Sequence, residues 1–213
     1  MKYYKLLDAL NENEVVKDDD GKRYTYRFGA EAWVRSGIMV RYMWPDDVKF
    51  GKYTEITEAE AQAILNAQRA TYDRLLRLAI SVASKAHAGQ VDKGGKPYFF
   101  HLEAVATALD STENKIVAYL HDICEDTPTT LEELAAMGFT ARIVNSVRIL
   151  TKTEGVEYET YLKAVKKDSN AWHVKMADLE NNMDISRIPN PTEADYKRLE
   201  KYKKALAFLK GEK

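Results

Sequence analysis

The sequence predicts a mainly α-helical protein with a small antiparallel β element at its N-terminus. Two observations carry that reading. Up to about Ile56 the chain is rich in β-formers with partial alternation, at residues 24–28 and again at 37–44. From Thr57 onward apolar residues recur instead at helical spacing.

Within the first part, Asp18-Asp19-Asp20-Gly21 is a turn signal between two runs, and Pro45-Asp46-Asp47 ends the run at 37–44. Residues 1–56 therefore read as a sheet of two to four strands. Alone it would be marginal, so it is expected to pack on the rest of the protein or on another subunit. Trp33, Tyr42 and Trp44 read as packing side chains.

Residues 57–213 read as one helical domain. Thr57-Glu58-Ala59-Glu60 is a capping box, followed by an apolar face at Ile64 and Leu65. A second helix from about Ala70 uses Tyr72, Leu75, Leu76, Ala79, Ile80, Ala83 and Ala86, and stops at Gly89. His87 in its last turn favours the helix dipole and reads as structural. After a loop at 90–100, His101 opens a helix on Leu102, Val105, Ala106 and Leu109. The next helix, 112–124, faces inward with Ile116, Val117, Tyr119 and Leu120 and is broken by Thr127-Pro128. Shorter helices follow from Thr129 to before Gly138, over 140–150, and through Tyr161, Leu162 and Val165. A polar-striped helix at 171–183 and a last, structural helix at 193–210 complete the chain.

Composition narrows the function. A formal net charge of -1 argues against a nucleic-acid duplex or an anionic membrane as partner. No apolar run approaches about 18 residues, and the first residues lack the core of a secretory signal. The single Cys124 excludes an intrachain disulfide and fits a reducing cytoplasm; beside Glu125 it reads as packing, not as a nucleophile.

The chemistry gathers around His121-Asp122 and Glu125-Asp126, which a continuous helix would place along one edge. Alone, these four residues suit an acidic helix end as well as a metal site. His101, His121, Asp122 and Asp178, from three separate helices, make a mixed nitrogen and oxygen set for a divalent transition metal with positions left open. The absence of thiolates argues against structural zinc. Glu125 and Asp126 are placed to hold or deprotonate a water. Lys93 and Lys96 bracket Gly94-Gly95, whose backbone amides could approach an anion, although an ordinary solvated turn has the same composition. Lys175, Asp178 and Asn182 share one stripe at i, i+3 and i+7. A cation flanked by lysines suits a phosphoester or pyrophosphate, hence metal-assisted phosphohydrolysis.

Four segments carry a family resemblance: Ala86-His87-Ala88-Gly89-Gln90, Pro97-Tyr98-Phe99-Phe100-His101, Leu120-His121-Asp122-Ile123-Cys124-Glu125-Asp126-Thr127, and Val174-Lys175-Met176-Ala177-Asp178 with Asn182-Met183. In order and spacing they resemble the HD-domain hydrolases, and within them the hydrolase domains of the Rel/Spo alarmone enzymes and their small stand-alone relatives. The resemblance spans residues 86–183, roughly half the chain. It implies an HD-domain helical bundle holding one manganese ion through His101, His121, Asp122 and Asp178. It also implies a cytoplasmic hydrolase of the stringent response that removes the 3′-pyrophosphate from (p)ppGpp or (p)ppApp, with Glu125 and Asp126 handling the water. Lys93, Gly94, Lys175 and Asn182 would then contact the nucleotide. With no synthetase segment in the 213 residues, a stand-alone hydrolase is expected.

Two departures bear on the substrate. The family's usual Arg-Lys-Ser-Gly loop reads here Asp92-Lys93-Gly94-Gly95, so an aspartate stands where an arginine often lies beside the guanine. Its usual Asp-Arg-Leu-His-Asn-Met-Arg-Thr reads here Asp178-Leu179-Glu180-Asn181-Asn182-Met183-Asp184-Ile185. The alternatives are an HD phosphohydrolase acting on another nucleotide or a 3′-phosphorylated cofactor, and an interaction protein. In the latter, residues 1–56 would bind a toxin-like partner or mediate homo-oligomerisation.

Overall fold

A computed structural model describes residues 1–212 of the chain. The chain folds as two compact units, Met1–Arg74 and Leu75–Lys213.

The first unit is built on an antiparallel sheet of β1 (Lys2–Leu6), β2 (Val15–Asp19), β3 (Lys22–Arg27), β4 (Ala32–Arg35) and β5 (Tyr53–Ile56), in the order β4-β3-β2-β1-β5. The predicted turn joins β2 to β3. Asp20 and Gly21 both take positive φ, as a two-residue hairpin matching the strand twist requires, and Asp18 Oδ1 accepts the Gly21 N–H at 2.8 Å. Tyr3 lies opposite Lys17 and Ile56 in the ladder, Tyr4 opposite Val16 and Glu55.

Successive side chains of a strand point to opposite faces. Tyr3 accordingly packs with Val15, Phe28, Ala61 and Leu65, while Tyr4 and Leu6 pack with Val16, Met39 and Tyr42. A sheet covered on both faces shows only weak apolar–polar alternation, which is why β1 and β5 carry little signal in the sequence.

Residues 37–44, expected as a strand, instead form α1 (Met39–Met43). Met39 and Tyr42, fully buried at i and i+3, fit a helical stripe better than a strand face. The capping box at Thr57 is present, with Glu60 Oε2 accepting the Thr57 N–H at 2.8 Å. The helix it opens, α2 (Glu58–Ala86), runs unbroken for 29 residues where two were expected. No proline or glycine interrupts residues 58–86, and the polar Asn66, Gln68 and Arg69 are tolerated on a helix surface.

The second unit is helical after the end of α2. Its elements are α3 (Phe99–Thr107), α4 (Thr112–Leu120), α5 (Ile123–Asp126), α6 (Leu131–Ala136), α7 (Ala141–Leu150), α8 (Tyr158–Val165), α9 (Ser169–Asn182), a 3₁₀ turn (Ile185–Arg187) and α10 (Glu193–Lys210). Helix α9 packs against α3, α4, α7, α8 and α10 and forms the centre of the unit. Its start is fixed by Asp168, whose Oδ1 accepts both the Ala171 N–H and the Ser146 hydroxyl at 2.9 Å.

The expected helix over 112–124 needs correction. It divides at His121-Asp122, with Asp122 at φ -98 and ψ -2, so α4 ends one residue before the pair and α5 begins one after it. The four polar residues therefore do not share one continuous helix edge.

Candidate metal centre

The interruption brings the chemistry together. In a continuous helix neighbouring side chains diverge by about 100°. At the break, His121 Nε2 and Asp122 Oδ2 instead lie 3.0 Å apart. Helix α3 contributes His101, whose Nε2 is 3.7 Å from Asp122 Oδ2 and 3.3 Å from Asp178 Oδ1. Helix α9 contributes Asp178, whose Oδ1 is also 3.7 Å from His121 Nε2. His101, His121 and Asp178 are all buried, and one ligand atom from each lies within 4.8 Å of the others.

The remaining hydrogen bonds show what the cluster can hold. His121 Nδ1 lies 2.7 Å from the Ala118 carbonyl, an atom that only accepts, so Nδ1 carries the proton. In the neutral ring Nε2 then presents a lone pair to two carboxylates. It is buried and has no hydrogen-bond partner among the described residues. His101 repeats the pattern, with Nδ1 2.8 Å from Asn181 Oδ1 and Nε2 facing the acids. Lone pairs and carboxylates converging in a buried space repel unless a cation lies between them. The donor set fits a divalent metal.

Without a cation in the cluster, the acids favour positive charge on the ring itself. Burial alone would lower the pKa of His121, yet Asp122 and Asp178 hold it well above the ordinary histidine value. Burial would raise Asp178, but Lys175 and the two imidazoles keep it well below the carboxylate range. Asp122 is lowered likewise, against its burial, by His121. It also accepts the Tyr98 hydroxyl at 2.5 Å, and burial followed by the Asp122 charge keeps that phenol protonated. Tyr98, three residues before His101, was not singled out in the sequence, although that spacing was a signal for it.

Glu125 and Asp126 follow on α5. Burial raises the pKa of Glu125; the Lys152 N–H, which its Oε1 accepts, pulls the other way. Burial and then the Asp122 charge raise Asp126. A raised carboxyl group is a stronger base than a free one, which suits it to take a proton from water. Behind them, buried His87 stacks on Tyr98 with centroids 5.1 Å apart and contacts Gln90 Oε1 at 2.7 Å, while Gln90 Nε2 donates to the Asp126 carbonyl at 2.9 Å. The structural reading of His87 holds for that edge of its ring; its Nε2 has no partner among the described residues.

The residues expected to touch substrate are mostly engaged with protein. Lys175 Nζ donates to Asp178 Oδ2 at 2.8 Å, and Asn182 Nδ2 to Asp178 Oδ1 at 2.5 Å, so both stand at the cluster and orient its carboxylate. Lys93 Nζ donates to Asp195 Oδ1 at the start of α10. The Gly94 N–H donates to Asp92 Oδ1 at 2.9 Å, as does that of Lys96. A Cβ at Gly94 would collide with the Arg187 carbonyl oxygen, so glycine is required there for close approach to the 3₁₀ turn. Asp92 Oδ2 pairs with Arg187 Nη2 at 2.7 Å, and against its burial this pair keeps Asp92 below the usual carboxylate range. Cys124 is half-buried, and burial raises its thiol, in keeping with a packing role. Among the described residues no helix is long and apolar enough to cross a membrane.

No family model matches the chain. Over 122 residues it is 32% identical to the bifunctional (p)ppGpp synthase/hydrolase SpoT of Escherichia coli strain K12, covering 51% of this chain and 17% of that protein. Over 116 residues it is 34% identical to the guanosine-3′,5′-bis(diphosphate) 3′-pyrophosphohydrolase of Haemophilus influenzae, covering 48% of this chain and 17% of the other. The chain thus spans about a sixth of the length of the curated relatives it matches. Among solved structures, a metazoan ortholog of SpoT that hydrolyses ppGpp superposes with a TM-score of 0.55 at 21% identity, over 63% of this chain and 84% of that one. That likeness is one of fold. The helical unit has an HD-like fold, and its sequence resembles the Rel/Spo hydrolases.

Proposed function

We propose that the chain is a metal-dependent alarmone hydrolase that removes the 3′-pyrophosphate from (p)ppGpp or (p)ppApp. The observation that carries this reading is the buried set of His101, His121 and Asp178 beside Asp122, with two histidine lone pairs facing carboxylates. In this reading those four residues hold one divalent ion, manganese by preference. A cation held there supplies Lewis acidity and lowers the pKa of a coordinated water.

The chain's own residues do the rest. Lys175 and Asn182 fix the Asp178 carboxylate, and Tyr98 fixes that of Asp122. Glu125 or Asp126, held above the ordinary carboxylate range by burial, takes the proton of the attacking water. The water oxygen bonds to the phosphorus attached to the nucleotide 3′-oxygen, the bond from that phosphorus to the 3′-oxygen breaks, and the departing 3′-oxygen takes up a proton to become the 3′-hydroxyl, which restores the carboxylate by net proton balance. Pyrophosphate and a 5′-diphosphate nucleoside are the products when ppGpp is the substrate. Lys93, Gly94, Lys175 and Asn182 are the proposed substrate contacts; Lys93 would exchange Asp195 for phosphate. The compartment is the cytoplasm, where such nucleotides occur.

The test is incubation with manganese and ppGpp followed by separation of the nucleotides. GDP and pyrophosphate are expected, and their absence above a chelator control would overturn the guanosine reading. The Asp92–Arg187 pair favours a second reading, the same chemistry on another phosphorylated nucleotide, because a carboxylate stands where relatives of this type often carry an arginine. A nucleotide panel assayed for phosphate and pyrophosphate separates the two. Residues 1–56 remain the proposed surface for a protein partner or self-association, tested by deleting them and measuring binding.

A further inference from the structure

The loop before α3 and the 3₁₀ turn after α9 are joined by a chain of contacts that ends on His101. Asp92 is braced by the amides of Gly94 and Lys96 and holds Arg187 Nη2 at 2.7 Å. The other terminal nitrogen of Arg187, Nη1, donates to the side-chain oxygen of Asn181 and, at 3.1 Å, to its carbonyl. The same Asn181 Oδ1 receives His101 Nδ1 at 2.8 Å.

The direction of each bond follows from chemistry. A guanidinium has only N–H donors, so Asn181 must turn its oxygen, and not its NH₂, toward Arg187. That oxygen can only accept, so the imidazole atom it meets must be a donor, which places the His101 proton on Nδ1. Nε2 is left with its lone pair, pointing at Asp178 and Asp122. Take Arg187 away, and the Asn181 amide loses the donor that holds its oxygen in place, leaving it free to rotate by half a turn. Its NH₂ would then face Nδ1, and the ring proton would move to Nε2, where it occupies the position of a ligand bond.

We propose that Arg187 is a positioning residue that selects the metal-binding tautomer of His101 through Asn181, and that Asp92 aims Arg187. The proposal rests on the metal-site reading above and adds to it a residue outside the ligand set. Groups that orient a ligating histidine typically contribute 10–100-fold to metal affinity.

The experiment measures manganese affinity by calorimetry and, in the metal-free protein, the His101 tautomer by ¹⁵N chemical shifts of its ring nitrogens. Wild type is expected to show a protonated Nδ1. Arg187→Met is expected to shift the population toward protonated Nε2 and to weaken manganese about 10–100-fold. Asn181→Asp placed on Arg187→Met offers only acceptor oxygens to Nδ1, so the double variant should regain the Nδ1–H tautomer and most of the affinity. An effect of Arg187 exerted only through the loop fold would not be rescued in this way. An unchanged tautomer and affinity in Arg187→Met, or a loss that Asn181→Asp leaves in place, overturns the proposal. Failure of wild type to bind manganese would instead sink the metal reading, and the tautomer measurement still judges the relay. Asp92→Asn should weaken binding less than Arg187→Met; an equal or larger loss would place the control in the loop itself.

Discussion

Both compact units turn carboxylates inward, and the two units treat them in opposite ways. Asp8 in the first unit accepts the Tyr42 hydroxyl, lies 3.3 Å from Lys49 Nζ and accepts from Asn11 Nδ2 at 3.1 Å; Tyr42 itself is fully buried. Each of these partners is a donor, so the network is closed. Asp178 and Asp122 in the second unit also have donors, but on their inner side they meet two imidazole nitrogens whose protons are on the far edge. A closed network stabilises a fold. A buried network with acceptors facing acceptors is satisfied by a cation, and that contrast separates structural from chemical polarity better than burial or residue type does.

The sharpest way to break the comparison is at the ligands. His121→Ala or Asp122→Ala should abolish manganese binding and lower hydrolysis by more than about 10⁴-fold, a loss greater than one general acid or base typically accounts for. Circular dichroism should show the helices intact; full hydrolysis by either variant would end the metal reading. Glu125→Gln and Asp126→Asn should lower turnover about 10²–10⁴-fold while leaving manganese affinity within a few fold, because these side chains act on protons and not on the ion. A calorimetric titration beside the rate assay checks both halves.

Stability measurements probe the other side. Manganese at about 100 times its dissociation constant should raise unfolding stability by about 2.7 kcal/mol, reversed by chelator. Tyr42→Phe should cost about 1–3 kcal/mol in denaturant melts by leaving Asp8 short of a donor, with the same difference measured in manganese and in chelator. A metal-dependent Tyr42 effect would show that the contrast between the networks is wrong.

The smallest effect is with pH. Burial would raise Asp8, but the bonds from Tyr42, Asn11 and Lys49 outweigh it and hold its pKa below the ordinary value. Its contribution is therefore complete above the unfolded-state pKa of about 4 and is lost as the pH falls through the lower folded-state value. The stability gap between wild type and Asp8→Asn should narrow in melts taken below about pH 4; a gap that widens there contradicts the assignment.

Much of the helical unit was legible because its apolar spacing is regular and its ends are marked. Glu193–Lys210 forms one helix as expected, capped by Thr192 with Asp195. The strand expected at 37–44 failed because a five-residue amphipathic helix and a short strand look alike until Met39 and Tyr42 are seen on one face. That His101, His121, Asp122 and Asp178 belong to one cluster was readable, since imidazole and carboxylate in that mix have few other uses in a core. The break at His121-Asp122 was not, because no glycine or proline marks it. Arg187 lay beyond reach for a different reason. Its partners Asp92 and Asn181 are distant in sequence or on another element, and only the folded chain brings them together.

The Asp92–Arg187 pair also constrains the order in which this sequence can drift. Placing arginine at position 92 would set two guanidiniums against each other while Arg187 remains, and Gly94 leaves no slack to separate them, being pressed on the Arg187 carbonyl. Position 187 would have to change first, and by the relay that first step weakens the metal site. Positions 92 and 187 are therefore coupled to each other through the loop and, by the relay, to the metal site.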